Sequence, residues 1–184
     1  MTRAVVFCCA LLLLASCGGD DADEAAPTSS AAAPDETTVT LGEAPSGEVV
    51  AITAEPCSLL TAEEVAAATG LAVTDAIPDS STTCVFDLGA EAGVDIFITV
   101  DDGAGRMTSP SAVYADYAAR VGDGSAEAID GVGAGAFYDS GFRAIAVDAG
   151  GGRFFVVGVN GGYQALEQPR DALISLAENA VVRL

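Results

Sequence analysis

Five cysteines, 27 acidic residues and no histidine set the chemistry open to this 184-residue chain. Without an imidazole, Ser-His-Asp and Cys-His nucleophile systems and histidine-bearing zinc sites are closed to it unless a partner supplies the ring. Paired carboxylates need no imidazole, so a glycoside hydrolase built on two acidic residues remains open, although no spacing singles out a pair. Gly131-x-Gly133-x-Gly135 lacks the six-residue nucleotide spacing and a basic partner. Its glycines read as tight backbone geometry rather than a phosphate cradle. Asp101-Asp102-Gly103, with Gly105 beyond, reads as a turn because the liganding repeat and closing Glu of a calcium loop are missing. No catalytic, cofactor-binding or metal-ligating residue is assigned, no cofactor is expected, and the chain reads as a non-enzyme.

The cysteines are more informative. Arg3 supplies a short positive region, residues 4–14 are apolar, and Leu14-Ala15-Ser16-Cys17 follows before Gly18, Gly19, Asp20 and Asp21. This is the order of an export signal, and its apolar run is too short to span a bilayer. Leucine three positions before a cysteine, with small residues between, matches a bacterial lipobox. The reading is a signal peptide over residues 1–16, removed together with Cys8 and Cys9, and lipidation of Cys17 with acyl chains such as palmitate. Two or more acyl chains anchor a protein far more firmly than one. Cys57 and Cys84 are then left as one pair. Outside the cytoplasm the expectation for such a pair is a disulfide, and without a C-x-x-C or a neighbouring cation a redox role is the poorer reading. A loop running from 57 to 84 corresponds to roughly 3.5 kcal/mol in the chain-entropy account.

Charge narrows the partners. The seven basic residues are all arginine and the formal net charge is −20, so nucleic acid, which is bound through clustered cations, is excluded as a partner. Residues 17–55 are rich in Ala, Pro, Ser, Thr, Asp and Glu with no aromatic residue, and read as a disordered acidic tether. Its Asp20, Asp21, Asp23, Glu24 run reads as solvated. Such a tether reaches on the order of 30 Å.

Residues 56–184 carry the periodicity of a single folded domain. Thr61 and Glu64 form a T-x-x-E capping box, with Leu60 placed to staple onto Val65 and Gly70 at the helix end. Strands are expected over 83–88 and 94–100, where Val94, Ile96, Ile98 and Val100 alternate with Asp95, Phe97 and Thr99. A second helix starts at Ser109-Pro110 and carries Val113, Tyr114, Tyr117 and Val121 on one stripe. Strands over 136–139, 142–148 and 153–159 and a closing helix from Pro169 complete the order α-β-β-α-β-β-β-α. Short turns between successive strands indicate an α+β fold, an antiparallel sheet of about five strands with three helices packed on one face. The other face is open to two readings, core or a docking surface bearing Phe97 and Phe154 or Phe155.

The stretch Pro56-Cys57-Ser58-Leu59-Leu60-Thr61-Ala62-Glu63-Glu64-Val65, the later Thr83-Cys84-Val85-Phe86 and the Ile129-Asp130-Gly131-Val132-Gly133-Ala134-Gly135-Ala136 segment resemble a family of actinobacterial lipoproteins carrying a domain of unknown function. C-S-L-L-T-x-x-E is the most specific part. Such proteins usually place Trp after the second cysteine, where Phe86 stands here. The resemblance implies a location in the cell envelope and lends no reaction.

These readings converge on a monomer held to the extracytoplasmic face of the cell membrane by lipid on Cys17. It is expected to act as a noncatalytic module binding an envelope protein, glycan or lipid. A carrier for a small apolar ligand is the alternative, and a carboxylate-based hydrolase the second.

Overall fold

Thr61 accepts the Glu64 N–H at 3.2 Å while Glu64 accepts the Thr61 N–H at 2.8 Å, so the capping box starts the first helix where the residue spacing places it. The computed structural model describes residues 47–162, 166 and 168–184. The signal peptide, Cys17 and the tether as far as residue 46 lie outside the described residues. In chain order the elements are α1 (Ala62–Thr69), β1 (Asp75–Pro78), β2 (Thr83–Asp87), β3 (Val94–Val100), α2 (Pro110–Arg120), β4 (Ala126–Ile129), β5 (Gly135–Asp139), β6 (Ala144–Gly150), β7 (Arg153–Gly161) and α3 (Pro169–Val181). Ser109 caps α2, and proline stands at the start of both α2 and α3, where a missing N–H costs nothing.

The expectation of about five strands is corrected: the sheet has seven, ordered β1-β2-β3-β7-β6-β5-β4, and every pairing is antiparallel. The strands not foreseen are the two edges. β1 is four residues long, exposed throughout and ends in proline, and β4 buries only its end residues. Neither offers an alternation long enough to stand out. The element order is therefore α-β-β-β-α-β-β-β-β-α. Phe142 was expected inside a strand and instead lies in the turn before β6, where its N–H and that of Gly141 are both accepted by Asp139 Oδ1.

Placement of all three helices on one face is corrected as well. Leu173, Leu176, Ala177 and Ala180 of α3 and Val65 of α1 share one core with Ile145, Val147, Phe155 and Val157 of the sheet. Tyr114 and Tyr117 of α2 share another with Ala144, Ala146, Phe154 and Val156. Alternate residues of β6 and β7 thus feed opposite cores, and the sheet is sandwiched between α1 with α3 on one side and α2 on the other.

Residues 49–52, expected to lie within the tether, are attached to the sheet. Val50 donates to the Gly152 carbonyl and Ile52 to the Asp101 carbonyl, each at 2.8 Å, and Ile52 is buried in the α1 and α3 core. The apolar residues at 49, 50 and 52 carry this attachment within a segment whose Pro, Glu and Thr content reads as linker.

Candidate functional site

Cys57, in a short helical turn at Pro56–Ser58, and Cys84, in β2, are joined by a disulfide, compatible with the expected pair. The bond ties the entry to α1 to the sheet. Arg183 closes the same corner from the other end of the chain, donating to the Leu59 carbonyl at 2.8 Å and to Glu64 Oε1 at 2.7 Å. The Arg183 guanidinium holds the Glu64 carboxyl below its usual range, burial opposing in part. These contacts are scaffold and leave no exposed reactive group.

The opposite side of the sheet is different. α2 packs chiefly across β4, β5, β6 and β7 and meets β3 only at the edge of the cleft around Phe97. Among the described residues the α2-side side chains of β1, β2 and β3 are therefore exposed or half-buried, and their registers align them in rows across the strands. Asp75 pairs with Asp87, Asp87 with Asp95 and Asp95 with Asn160. One step along, Ile77 pairs with Val85, Val85 with Phe97 and Phe97 with Gly158. Beyond them Thr83 and Thr99 pair, their hydroxyls 3.1 Å apart. Ile77 is 44% exposed, and Val85, Phe97, Thr83 and Thr99 are half-buried.

Where this face meets α2 it deepens into an open cleft of about 290 Å³ lined by Phe97, Thr99, Thr108, Pro110, Val113, Tyr117, Phe142 and Asn160 among others. Phe97 forms part of its floor because Gly158 has no side chain. A Cβ there would stand 2.4 Å from the phenyl Cζ and 3.0 Å from the Ala144 Cβ. A smaller polar hollow of about 170 Å³ shares Thr99, Thr108 and Pro110 with the cleft and adds Thr82, Ser109, Asp102 and Arg106.

One wall is a charged aromatic cluster. The Tyr117 and Phe142 rings stack with centroids 6.4 Å apart, and the Arg120 guanidinium lies 5.0 Å and 5.7 Å from their centroids. Arg120 Nη1 is 2.5 Å from Asp139 Oδ2, and Nη2 is 2.9 Å from Asp116 Oδ2. Asp139 is only 2% exposed, so its charge needs this partner. Burial, reinforced by Asp139, pushes the Tyr117 hydroxyl up to about 12. That phenol stays protonated at any physiological pH and serves as a wall rather than a base. Phe142, 67% exposed, forms the outer lip.

The other wall is set by Asp101, fully buried at the end of β3. Its Oδ1 accepts the Gly103 N–H and its Oδ2 the Ser111 N–H, both at 2.9 Å. The second bond fills a donor that the first turn of α2 would otherwise leave free, with negative charge at the positive end of the helix. The turn expected at Asp101-Asp102-Gly103 is thus also what fixes the start of α2 against the sheet. Of the glycine-rich stretch, Gly133 adopts φ +60° and sits where a Cβ would be 2.3 Å from the Asp148 carbonyl oxygen, a close backbone approach rather than an anion cradle.

Phe97, Phe154 and Phe155 are open to core and surface readings from their spacing alone. The structure separates them: Phe155 belongs to the α1 and α3 core, Phe154 lies beneath α2, and Phe97 reaches the cleft. The Asp139, Arg120, Tyr117 and Phe142 cluster was not foreseen. Its available signal was Asp139-Ser140-Gly141, a turn sequence that lifts Phe142 out of the strand. Among the acidic residues, Asp87 and Asp95 stand opposite one another on accessible positions. Burial, and secondarily Asp87, raises the Asp95 pKa. The two aspartates border the apolar row of Ile77, Val85 and Phe97 and, beyond it, the Thr83 and Thr99 hydroxyls.

The family model Protein of unknown function (DUF3558) matches residues 12–183. No curated protein and no solved structure matches.

Proposed function

The chain belongs to this family of proteins of unknown function, and on that footing we propose that it is a lipoprotein of an actinobacterial cell envelope. It is anchored through Cys17 to the extracytoplasmic face of the cell membrane and acts there as a noncatalytic docking module. The observation that carries the docking role is the half of the sheet left uncovered by α2, with Phe97 as the floor of a cleft walled by Tyr117 and Phe142. Accessible apolar side chains grouped on a rigid sheet are the usual form of an interaction surface. The anchor rests on the lipobox and on a family match that begins at residue 12, ahead of Cys17. No helix among the described residues is long and apolar enough to cross a membrane. The disulfide accords with an oxidising compartment.

Carriage of a small apolar ligand draws less support, because the apolar hollow is an open cleft rather than an enclosed cavity.

Two measurements test the reading. Membrane fractionation with metabolic lipid labelling should place the wild-type chain, labelled, in the membrane fraction, and Cys17→Ser should be unlabelled. Labelled Cys17→Ser would contradict the anchor. A photo-crosslinking residue at position 97 should give a discrete adduct in intact cells, whereas the same residue at exposed position 178, on α3, should give none. Equal adducts at both positions, or none at 97, would contradict docking on this face.

A further inference from the structure

The chemistry of the open face names the kind of partner it fits. Three carboxylates, Asp75, Asp87 and Asp95, stand side by side across β1, β2 and β3, and the apolar row of Ile77, Val85 and Phe97 runs parallel to them two residues along each strand, a separation of about 7 Å. Opposed like charges weaken a strand pair, so the charge of the row works against the fold even though Asp87 Oδ1 accepts the Gly89 N–H at 2.7 Å and Asp75 Oδ1 the Ala76 N–H at 2.8 Å. Among the described residues none of the three carboxylates is ion-paired to an arginine. The nearby guanidinium groups are engaged elsewhere, Arg106 with Asp102 and Arg120 with Asp139 and Asp116. A phosphate or an anionic headgroup would meet three carboxylates and a chain of net charge −20. A purely apolar segment would strip water from those carboxylates without replacing it. A segment with apolar side chains along one flank and cations along the other satisfies both rows.

We infer that the uncovered face of β1, β2 and β3 receives a cationic amphipathic peptide segment of a partner protein. Its apolar side chains lie on Ile77, Val85 and Phe97, and its basic side chains lie against Asp75, Asp87 and Asp95. The inference rests on the docking reading above and specifies its partner. Charge complementarity of this kind supplies register and a fast, salt-sensitive association, while the apolar row supplies the burial.

The test uses the full chain and a fluorescent amphipathic peptide of leucine and lysine, titrated by anisotropy at low and physiological salt. Three sequence-matched peptides serve as comparators: lysine replaced by serine, lysine replaced by glutamate, and leucine replaced by serine. The leucine–lysine peptide should bind at least about tenfold tighter than each comparator, since two or three rim charges and the apolar contacts each contribute on that scale. Asp87→Asn with Asp95→Asn should weaken it about tenfold while leaving the thermal unfolding midpoint unchanged or higher. Val85→Ser should weaken it without shifting its salt dependence, and Glu178→Gln, on α3, should have no effect. Tight binding of the leucine–serine peptide would overturn the inference while leaving docking on this face intact. Equal binding of the serine–lysine peptide, or equal weakening by Glu178→Gln, would reduce the attraction to net charge and also overturn it. If none of the four peptides binds, the inference fails, and the crosslinking at position 97 decides the docking reading separately.

Discussion

Glu64 shows how a single side chain can be legible in sequence for one of its roles and hidden for another. Its capping partnership with Thr61 is written in local spacing, three residues apart. Its ion pair with Arg183, 119 positions away, depends on the fold bringing α3 beside α1. The two oxygens divide the work, Oε2 to the cap and Oε1 to the guanidinium. Because the folded state holds the Glu64 carboxyl below its ordinary value of 4.5, ionised Glu64 contributes stability that is complete above that value and lost as pH falls through the lowered one. Thermal melts between about pH 2 and 7 should therefore show Glu64→Gln less stable than wild type at neutral pH, the gap closing at the acid end. A gap of constant size across the range would show that the carboxylate's charge plays no part. Asp101 and Asp139 follow the same logic as Glu64: each looks like an ordinary turn aspartate in sequence, and each proves to be buried and to hold one wall of the cleft.

At the scale of elements, legibility followed length and caps. All three helices announce themselves through Thr61, Ser109 with Pro110, and Pro169. β3 is visible through its seven-residue alternation. The edges β1 and β4 are four residues each and gain their identity from pairing with β2 and β5, a tertiary effect that local pattern does not carry. The two-sided sandwich did leave a trace. Ala144-Ile145-Ala146-Val147 and Phe154-Phe155-Val156-Val157 are unbroken apolar runs, the pattern of strands covered on both faces, whereas β3 alternates because its α2 side is open. The contrast between alternating and continuous strands therefore maps the uncovered half of the sheet. The disulfide belongs to this scale too, since it fastens the turn before α1 to β2 across a separation of 27 residues. Replacing both cysteines by alanine should cost about 3.5 kcal/mol in denaturant unfolding of the oxidised protein. A cost under about 1 kcal/mol would mean that the contacts of α1 and Arg183 hold that corner unaided.

For the molecule as a whole, composition was the most direct guide to partners. A net charge of −20 with arginine as the sole cation argues against nucleic acid as a partner. In three dimensions it leaves a surface on which Asp75, Asp87 and Asp95 border an apolar row. What composition could not convey is that α2 covers four strands of seven. The asymmetry arises from topology: the chain crosses from β3 to β4 through a single helix, which packs over the half-sheet it leads into, so that among the described residues no helix covers that side of the earlier hairpins. In the proposed role, a lipid on Cys17 holds the chain at a membrane surface and the sheet face docks a partner there.

The most direct test is carboxyl footprinting, comparing the chain in isolated envelopes with the same chain extracted and purified. Carbodiimide-driven labelling should be reduced in envelopes at Asp75, Asp87 and Asp95, and equal in the two samples at Asp123 and Asp130, which are exposed outside the open face. Equal labelling of the three aspartates in both samples would contradict docking on this face.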